Sequence, residues 1–210
     1  MQAPQDSKPR WERRKDARPQ ELLAAALGQF VERGYAATRL EDVARRAGVS
    51  KGTLYLYFAN KEELFKAVVR EHIVHAIGEA EQDIAQFTGS SGDLLRFILM
   101  KWWDQLGATE LAGITKLMMA EANNFPDLAK FYDDEVVTRG NNLISSVLVR
   151  GIERGEFRPV NPRVMTQVLT APVLMLMMWT NNFLPCEADE KDPVAYMEAF
   201  IDVSLRGLLA

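Results

Sequence analysis

The amino-acid sequence predicts an all-α fold of about nine helices, and three observations carry that expectation. Apolar residues recur at intervals of three and four along most of the 210-residue chain, the spacing of one helix face. Helix punctuation stands where those stripes break: Gly34, Gly48 and Gly155 at ends, Asn161-Pro162 and Asp192-Pro193 at starts. No stretch keeps the alternation of a strand.

The first helix is expected from about Pro19, with Leu22, Leu23, Ala26, Leu27, Phe30 and Val31 as its buried stripe and Gly34 as its end. A second, LEDVARRA, turns Leu40, Val43, Ala44 and Ala47 inward. Gly48 stops it where the backbone needs an unusual angle, Val49 plugs the corner, and Ser50 caps the third helix. Leu54 and Phe58 anchor that third helix. Lys51, Thr53, Tyr55 and Tyr57 are left on its other faces as donors, and a major groove accepts such a helix. Asn60 caps a long fourth helix, a strut reaching about Phe87, with the stripe Leu64, Phe65, Val68, Ile73, Ile77 and Ile84.

TGSSGD at 88–93 is the clearest break in the chain. Four more helices are expected over 93–106, 110–122, 126–154 and 161–183, and a ninth from Asp192 to the C-terminus. The eighth is apolar all round from Val168 to Trp179, so it must be covered on every side, part of that cover coming from a second copy of the chain. Pro172 is expected to kink it, separating a pocket-lining half from a dimer-forming half. Phe200, Ile201, Leu205 and Leu208 give the ninth helix a matching stripe.

Charge is unevenly spread. Residues 1–70 hold 14 Lys/Arg against 9 Asp/Glu, and the remainder 11 against 20. A basic head on an acidic body suits a polyanionic partner. Residues 1–17 read as a mobile arm whose Lys8, Arg10, Arg13, Arg14 and Lys15 are placed to reach phosphate or a minor groove. The single cysteine, Cys186, excludes an intrachain disulfide framework. The N-terminus has no secretory pattern and the apolar run 168–179 is shorter than a spanning helix, so a soluble, cytoplasmic protein is expected.

The stretch GVSKGTLYLYFANKEELF (48–65), preceded by LLAAALGQFVERGYAAT and LEDVARRA, resembles the DNA-binding head of TetR-like (tetracycline-repressor-like) transcriptional regulators. EANNFPDLAKFYDDEV (121–136) loosely resembles AefR-like members of that family. The resemblance implies a helix-turn-helix head over 18–65 and a helical ligand-binding and dimerisation body over 66–210. In the head it implies that Ser50, Lys51, Gly52 and Thr53 meet phosphate and base edges, and that Tyr55, Tyr57 and Lys61 hold phosphate. Relatives carry Ser or Thr at position 39. Here Arg39 follows Thr38, so the cap of the second helix weakens or passes to Thr38, and Arg39 is free to contact phosphate.

Trp102, Trp103, Met118, Met175, Met178 and Trp179, with Tyr132 as a polar contact, form the expected effector pocket, methionine being suited to repacking around a ligand. Asn142 and His75 are weaker polar candidates. His72 and His75 share one helix without further nitrogen or sulfur ligands nearby in sequence, so no metal is expected, nor any cofactor. No nucleophile elbow, phosphate loop or HExxH pattern points to an enzyme. The expected function is a dimeric, near-palindrome-reading DNA-binding regulator, a repressor released by a small apolar or amphipathic ligand. The alternative is control by a protein partner.

Overall fold

A computed structural model of the protein describes residues 10–182 and 192–210. Nine helical rods account for most of these residues; there is no strand among them, and one antiparallel bridge pairs Phe157 with Leu209. The chain divides into two compact units, Met1–Val68 and Val69–Ala210.

In the first unit, α1 spans Arg10–Ala37 with a break at Gly34 (φ 79°). It begins well before Pro19, which lies inside it. The expected mobile arm is therefore helical from residue 10, and Lys8 lies outside the described residues. The helices α2 (Leu40–Arg46) and α3 (Lys51–Tyr55) follow, and α4 begins at Lys61. Gly48 takes φ 66°, which lets the Val49 N–H return to the Ala44 carbonyl at 2.9 Å and turns the chain between α2 and α3. Ser50 Oγ accepts from the Thr53 N–H at 3.1 Å, and Asn60 Oδ1 from the Glu63 N–H at 2.8 Å, so both caps form. The core gathers Leu22, Phe30, Val43, Leu54, Leu64 and Phe65, all fully buried. Each contributes about 1.5–3 kcal/mol through burial. Phe30, Tyr35 and Phe65 close it as a ring cluster with centroids 5.2–5.8 Å apart.

The second unit is built on three rods that each contain a π-helical turn. In α4 (61–86), Arg70–Val74 separates Lys61–Val69 from His75–Gln86. In α5 (91–107), Trp103–Gly107 follows Ser91–Trp102. In α7 (126–153), Asp133–Val137 separates Pro126–Tyr132 from Thr138–Glu153. The other helices are α6 (Ala112–Glu121), α8 (Pro162–Asn182) and α9 (Pro193–Leu208). The buried stripe of α4 runs through its π turn, with Phe65, Val69, Ile73 and Ile77 all buried.

Within this unit α7 packs against α4, α5 and α8, while α9 covers α8 and α5. Arg70 pairs bidentately with Glu135 (2.5 and 2.9 Å), and Arg139 with Glu81 (2.8 and 2.9 Å), tying α4 to α7. Gly151 is seated under the Phe157 ring, which an added Cβ would meet at 2.1 Å, so this close approach requires glycine. Glu156 accepts from the Ser91 N–H in the first turn of α5, and that hydrogen bond holds its carboxyl below the usual carboxylate range.

Helix α8 continues through Pro172. Its expected division along the length gives way to a division by face. Leu169, Val173 and Met177 are buried, whereas Val164, Val168 and Met175 are more than half exposed. Phe183 and Cys186 lie outside the described residues.

Candidate DNA-reading head and effector cavity

The recognition helix α3 presents a compact polar edge over the core leucine Leu54. Lys51 is 56% exposed, and Tyr55 and Tyr57 are also exposed. Ser50 Oγ and Thr53 Oγ1 lie 2.9 Å apart, so these two hydroxyls are engaged with each other and with the cap. The Lys51 ammonium stands 5.7 Å from the centre of the Tyr55 ring and is ion-paired with Glu41 of α2. That hydrogen bond raises the lysine above its ordinary range and lowers the glutamate below its own. Glu41 was not singled out from the sequence, because its first-turn place in α2 reads as an ordinary dipole-complementing acid.

Gly52 is informative for what it lacks. Its φ is not in the left-handed region, and an added Cβ would meet only Ser50 Oγ, at 3.7 Å, an ordinary contact. Nothing among the described residues requires glycine there. Leu56, beside the two tyrosines, is 83% exposed, a second feature that sequence reading passed over.

Two expected DNA contacts are corrected. Thr38 is buried, and its hydroxyl donates to the Gln29 carbonyl (3.1 Å) and the Gly34 carbonyl (2.7 Å), so it fastens the end of α1 and faces no partner outside. Lys61 points inward: its ammonium donates to the carbonyls of Tyr35 (2.7 Å), Ala36 (3.1 Å) and Thr38 (3.1 Å). Its three N–H donors are thereby used on the carbonyls that end α1. Partial burial holds its pKa below the ordinary lysine range. Arg39 is exposed at the start of α2 and forms no side-chain cap, as its chemistry requires.

In the second unit the helices enclose a cavity of about 230 Å³. Its wall is mainly apolar, with Ile73, Ile77, Ile98, Leu106, Ile144 and Leu174 prominent. Each of the three π turns contributes to it: Ile73 from α4, Gln105 and Leu106 from α5, Val136 and Val137 from α7. Such turns widen a helix locally and recur at functional sites. Two buried hydroxyls also line the space, Thr115 of α6 and Tyr132 of α7, with their oxygens 3.0 Å apart. Burial pushes the Tyr132 phenol up to about 12, the Thr115 hydrogen bond opposing in part.

Of the seven residues expected at the pocket, the structure brings Trp102 and Tyr132 to its wall. Trp103 and Met118 are buried in the core away from the cavity. Met175 and Trp179 are exposed at 59% and 39%, and Met178 is half-buried off the wall. Periodicity marks an apolar helix face without saying which apolar face meets a void. Asn142 lies at a separate, more open recess with Arg139 and Glu81, and it is Asn141 that stands on the cavity wall. His75 is exposed, 3.6 Å from Glu79, and His72 Nε2 is buried without a hydrogen-bond partner. Among the described residues no three His, Cys, Asp or Glu side chains are grouped to hold a metal.

A helix-turn-helix head followed by a helical unit enclosing an apolar cavity defines a ligand-responsive, DNA-binding transcriptional regulator. Residues 22–68 match the family of bacterial regulatory proteins of the tetR family, and residues 87–191 match the tetracyclin repressor-like C-terminal domain. The chain belongs to the TetR family. It is 26% identical over 200 residues to the fatty acid metabolism regulator protein of Bacillus subtilis, covering 92% of this chain and 98% of that one. It is 30% identical over 146 residues to the transcriptional repressor KstR2 of Mycolicibacterium smegmatis, covering 68% of this chain and 69% of that one. The solved structure of the regulator FadR from Bacillus subtilis in complex with stearoyl-CoA superposes with a TM-score of 0.76 at 25% identity, covering 90% of this chain and 98% of that one.

Proposed function

We propose that the protein is a homodimeric, cytoplasmic repressor whose head, residues 18–65, reads a near-palindromic operator. Its remaining residues, 66–210, bind a long-chain acyl ligand that releases the DNA. The observation that carries this reading is the apolar cavity of about 230 Å³ in the second unit. A dry cavity of about 150 Å³ already accepts benzene, so this one has room for a longer hydrocarbon segment. The complex of the Bacillus subtilis FadR with stearoyl-CoA supports an acyl thioester as the ligand class.

On the DNA side, Lys51 is the base reader, with Gly52 allowing close approach. Ser50, Thr53, Tyr55, Tyr57 and Arg39 are the phosphate and groove contacts. On the dimer side, Val164, Val168 and Met175 of α8, with Val194 and Val203 of α9, form an outward apolar face. An 18-residue window of α8 has a mean hydropathy of 1.2 and is only 22% buried. The face of a second copy is the cover we assign to it, rather than lipid, because Arg163, Gln167, Thr170 and Asn181 punctuate the helix.

The test is an operator titration with and without stearoyl-CoA, read by fluorescence anisotropy. Affinity that falls at least tenfold with ligand supports the reading, and by linkage DNA must then weaken ligand binding by the same factor. Unchanged affinity with saturating ligand rejects it in favour of control by a protein partner.

A further inference from the structure

The cavity wall is apolar except at a few places, and the most enclosed of these is the hydroxyl pair Thr115 and Tyr132. Both residues are buried, at 8% and 7% exposure, and their oxygens are 3.0 Å apart. Among the described residues this is the hydrogen bond each side chain makes. A hydroxyl carries one donor hydrogen and two lone pairs. Two hydroxyls bonded to each other spend one hydrogen between them, whichever is the donor. One O–H therefore remains beside the cavity with no acceptor among the described residues, and a buried donor left unsatisfied is costly. Because burial holds the Tyr132 phenol at about 12, the pair stays neutral and keeps both protons throughout the physiological range.

The character of the missing acceptor follows from the surrounding charge. Among the described residues the one basic side chain on the wall is Lys101, and it is already ion-paired with Asp83 and lies 3.9 Å from Glu79. An anionic acceptor would enter a site with no uncompensated positive charge, at a large desolvation cost. A neutral oxygen meets no such cost. A carbonyl oxygen accepts the spare hydrogen and brings no donor of its own into the cavity.

We infer that the Thr115–Tyr132 pair donates one hydrogen bond to a carbonyl oxygen carried on an otherwise apolar effector, so that the cavity selects carbonyl-bearing ligands over their plain hydrocarbon counterparts. The inference rests on the ligand-gated reading above and names the chemistry that the site requires. The carbonyl has two possible sources, a thioester at the end of an acyl chain or a ketone on a compact ring body, and the pair reads both through the same oxygen. Sites with a built-in polar partner reject analogues lacking the matching group far more sharply than apolar pockets reject a missing methylene.

Two matched probe pairs test it by calorimetry or tryptophan fluorescence: stearoyl-CoA against S-octadecyl-CoA, its thioether, and a 3-ketosteroid against its 3-deoxy analogue. The full chain is used as wild type, Tyr132→Phe and Thr115→Val, each variant checked for an unchanged thermal transition. Wild type should prefer the carbonyl member of at least one pair by about tenfold or more, the value of one net hydrogen bond. At least one of the two variants, the one that removes the hydroxyl facing the ligand, should bring that ratio to within about twofold while still binding the deoxygenated member. Preference in the acyl pair assigns the thioester, and preference in the steroid pair assigns the ketone. Pairs that bind without discrimination, or a preference that survives in both variants, overturn this inference alone. Binding by none of the four probes overturns it together with the ligand-gated reading.

Discussion

The ammonium of Lys61 lies 2.7 Å from the carbonyl oxygen of Tyr35 and 4.5 Å from the centre of the Tyr35 ring. One side chain at the start of α4 thus closes the end of α1, satisfying carbonyls that the helix leaves open and adding a cation–π contact.

Lys61→Met should therefore act on stability. Removing a charged donor from three carbonyls should cost about 1–3 kcal/mol, seen as a lower thermal midpoint of the head. The dependence of operator affinity on salt should keep its slope, since no phosphate contact is lost. A slope reduced by about one unit with an unchanged midpoint would restore the phosphate-binding role.

Gly52→Ala separates folding from recognition. The Cβ has room, and alanine is the better helix former by about 0.8–1.0 kcal/mol, so the thermal midpoint should hold or rise. Operator affinity should nevertheless fall at least tenfold, because the methyl group stands where the groove must approach. Retained affinity would mean that the glycine serves no partner.

Lys51→Ala should cost about 1–3 kcal/mol on the operator and little on scrambled DNA. Glu41→Gln should do the opposite. Without the carboxylate that holds Lys51, the lysine is available to any phosphate, so affinity for scrambled DNA should rise several-fold and discrimination should narrow. Parallel titrations on both DNAs decide it, and equal shifts on the two would contradict the assignment.

Tyr132 gives the protein an alkaline signature. Its folded pKa of about 12 stands above the ordinary 10, so the folded state binds more protons than the unfolded state between those values. Stability from this group is fully present below pH 10 and is lost as pH rises toward 12. Urea melts across that window should show a shallower decline for Tyr132→Phe than for wild type. Identical slopes would indicate that the phenol is not enclosed.

Val168→Glu and Val203→Glu place charges on the outward faces of α8 and α9, where the native side chains are 55% and 70% exposed. Each should turn a dimer into a folded monomer in sedimentation velocity and abolish operator binding while leaving the helical content intact. A dimer that survives both substitutions would place the interface elsewhere.

The head was legible because its signals are local. Gly48, Ser50 and Asn60 each dictate a turn or cap through their own chemistry, and all three act as read. Lys61 was misread because a lysine at a helix start looks alike whether it reaches outward or back to α1. The start of α1 was missed because Pro19 marks a first helical position by its chemistry, whereas it stands inside the helix, a place proline ordinarily avoids. In the second unit the helices were visible, but the cavity was not. Trp103 and Met118 belong to apolar faces as strongly as Ile77 and Leu174 do, and only the assembled packing shows which of them borders empty space. The π turns leave no trace in the spacing: Phe65, Val69, Ile73 and Ile77 keep steps of four straight through Arg70–Val74, and only the backbone hydrogen bonds reveal the turn.

The π turns also alter what the chain can afford to lose. A residue deleted from a regular helix rotates everything after it by about 100°, since 3.6 residues make a turn, and scrambles every contact beyond. A residue deleted inside Arg70–Val74, Trp103–Gly107 or Asp133–Val137 would instead restore the ordinary register. These three turns are places where the gene can shorten by one codon and still encode continuous helices, ones that have given back the width from which the cavity is made. Length variation at those points is then a route by which effector range can change while the fold is kept.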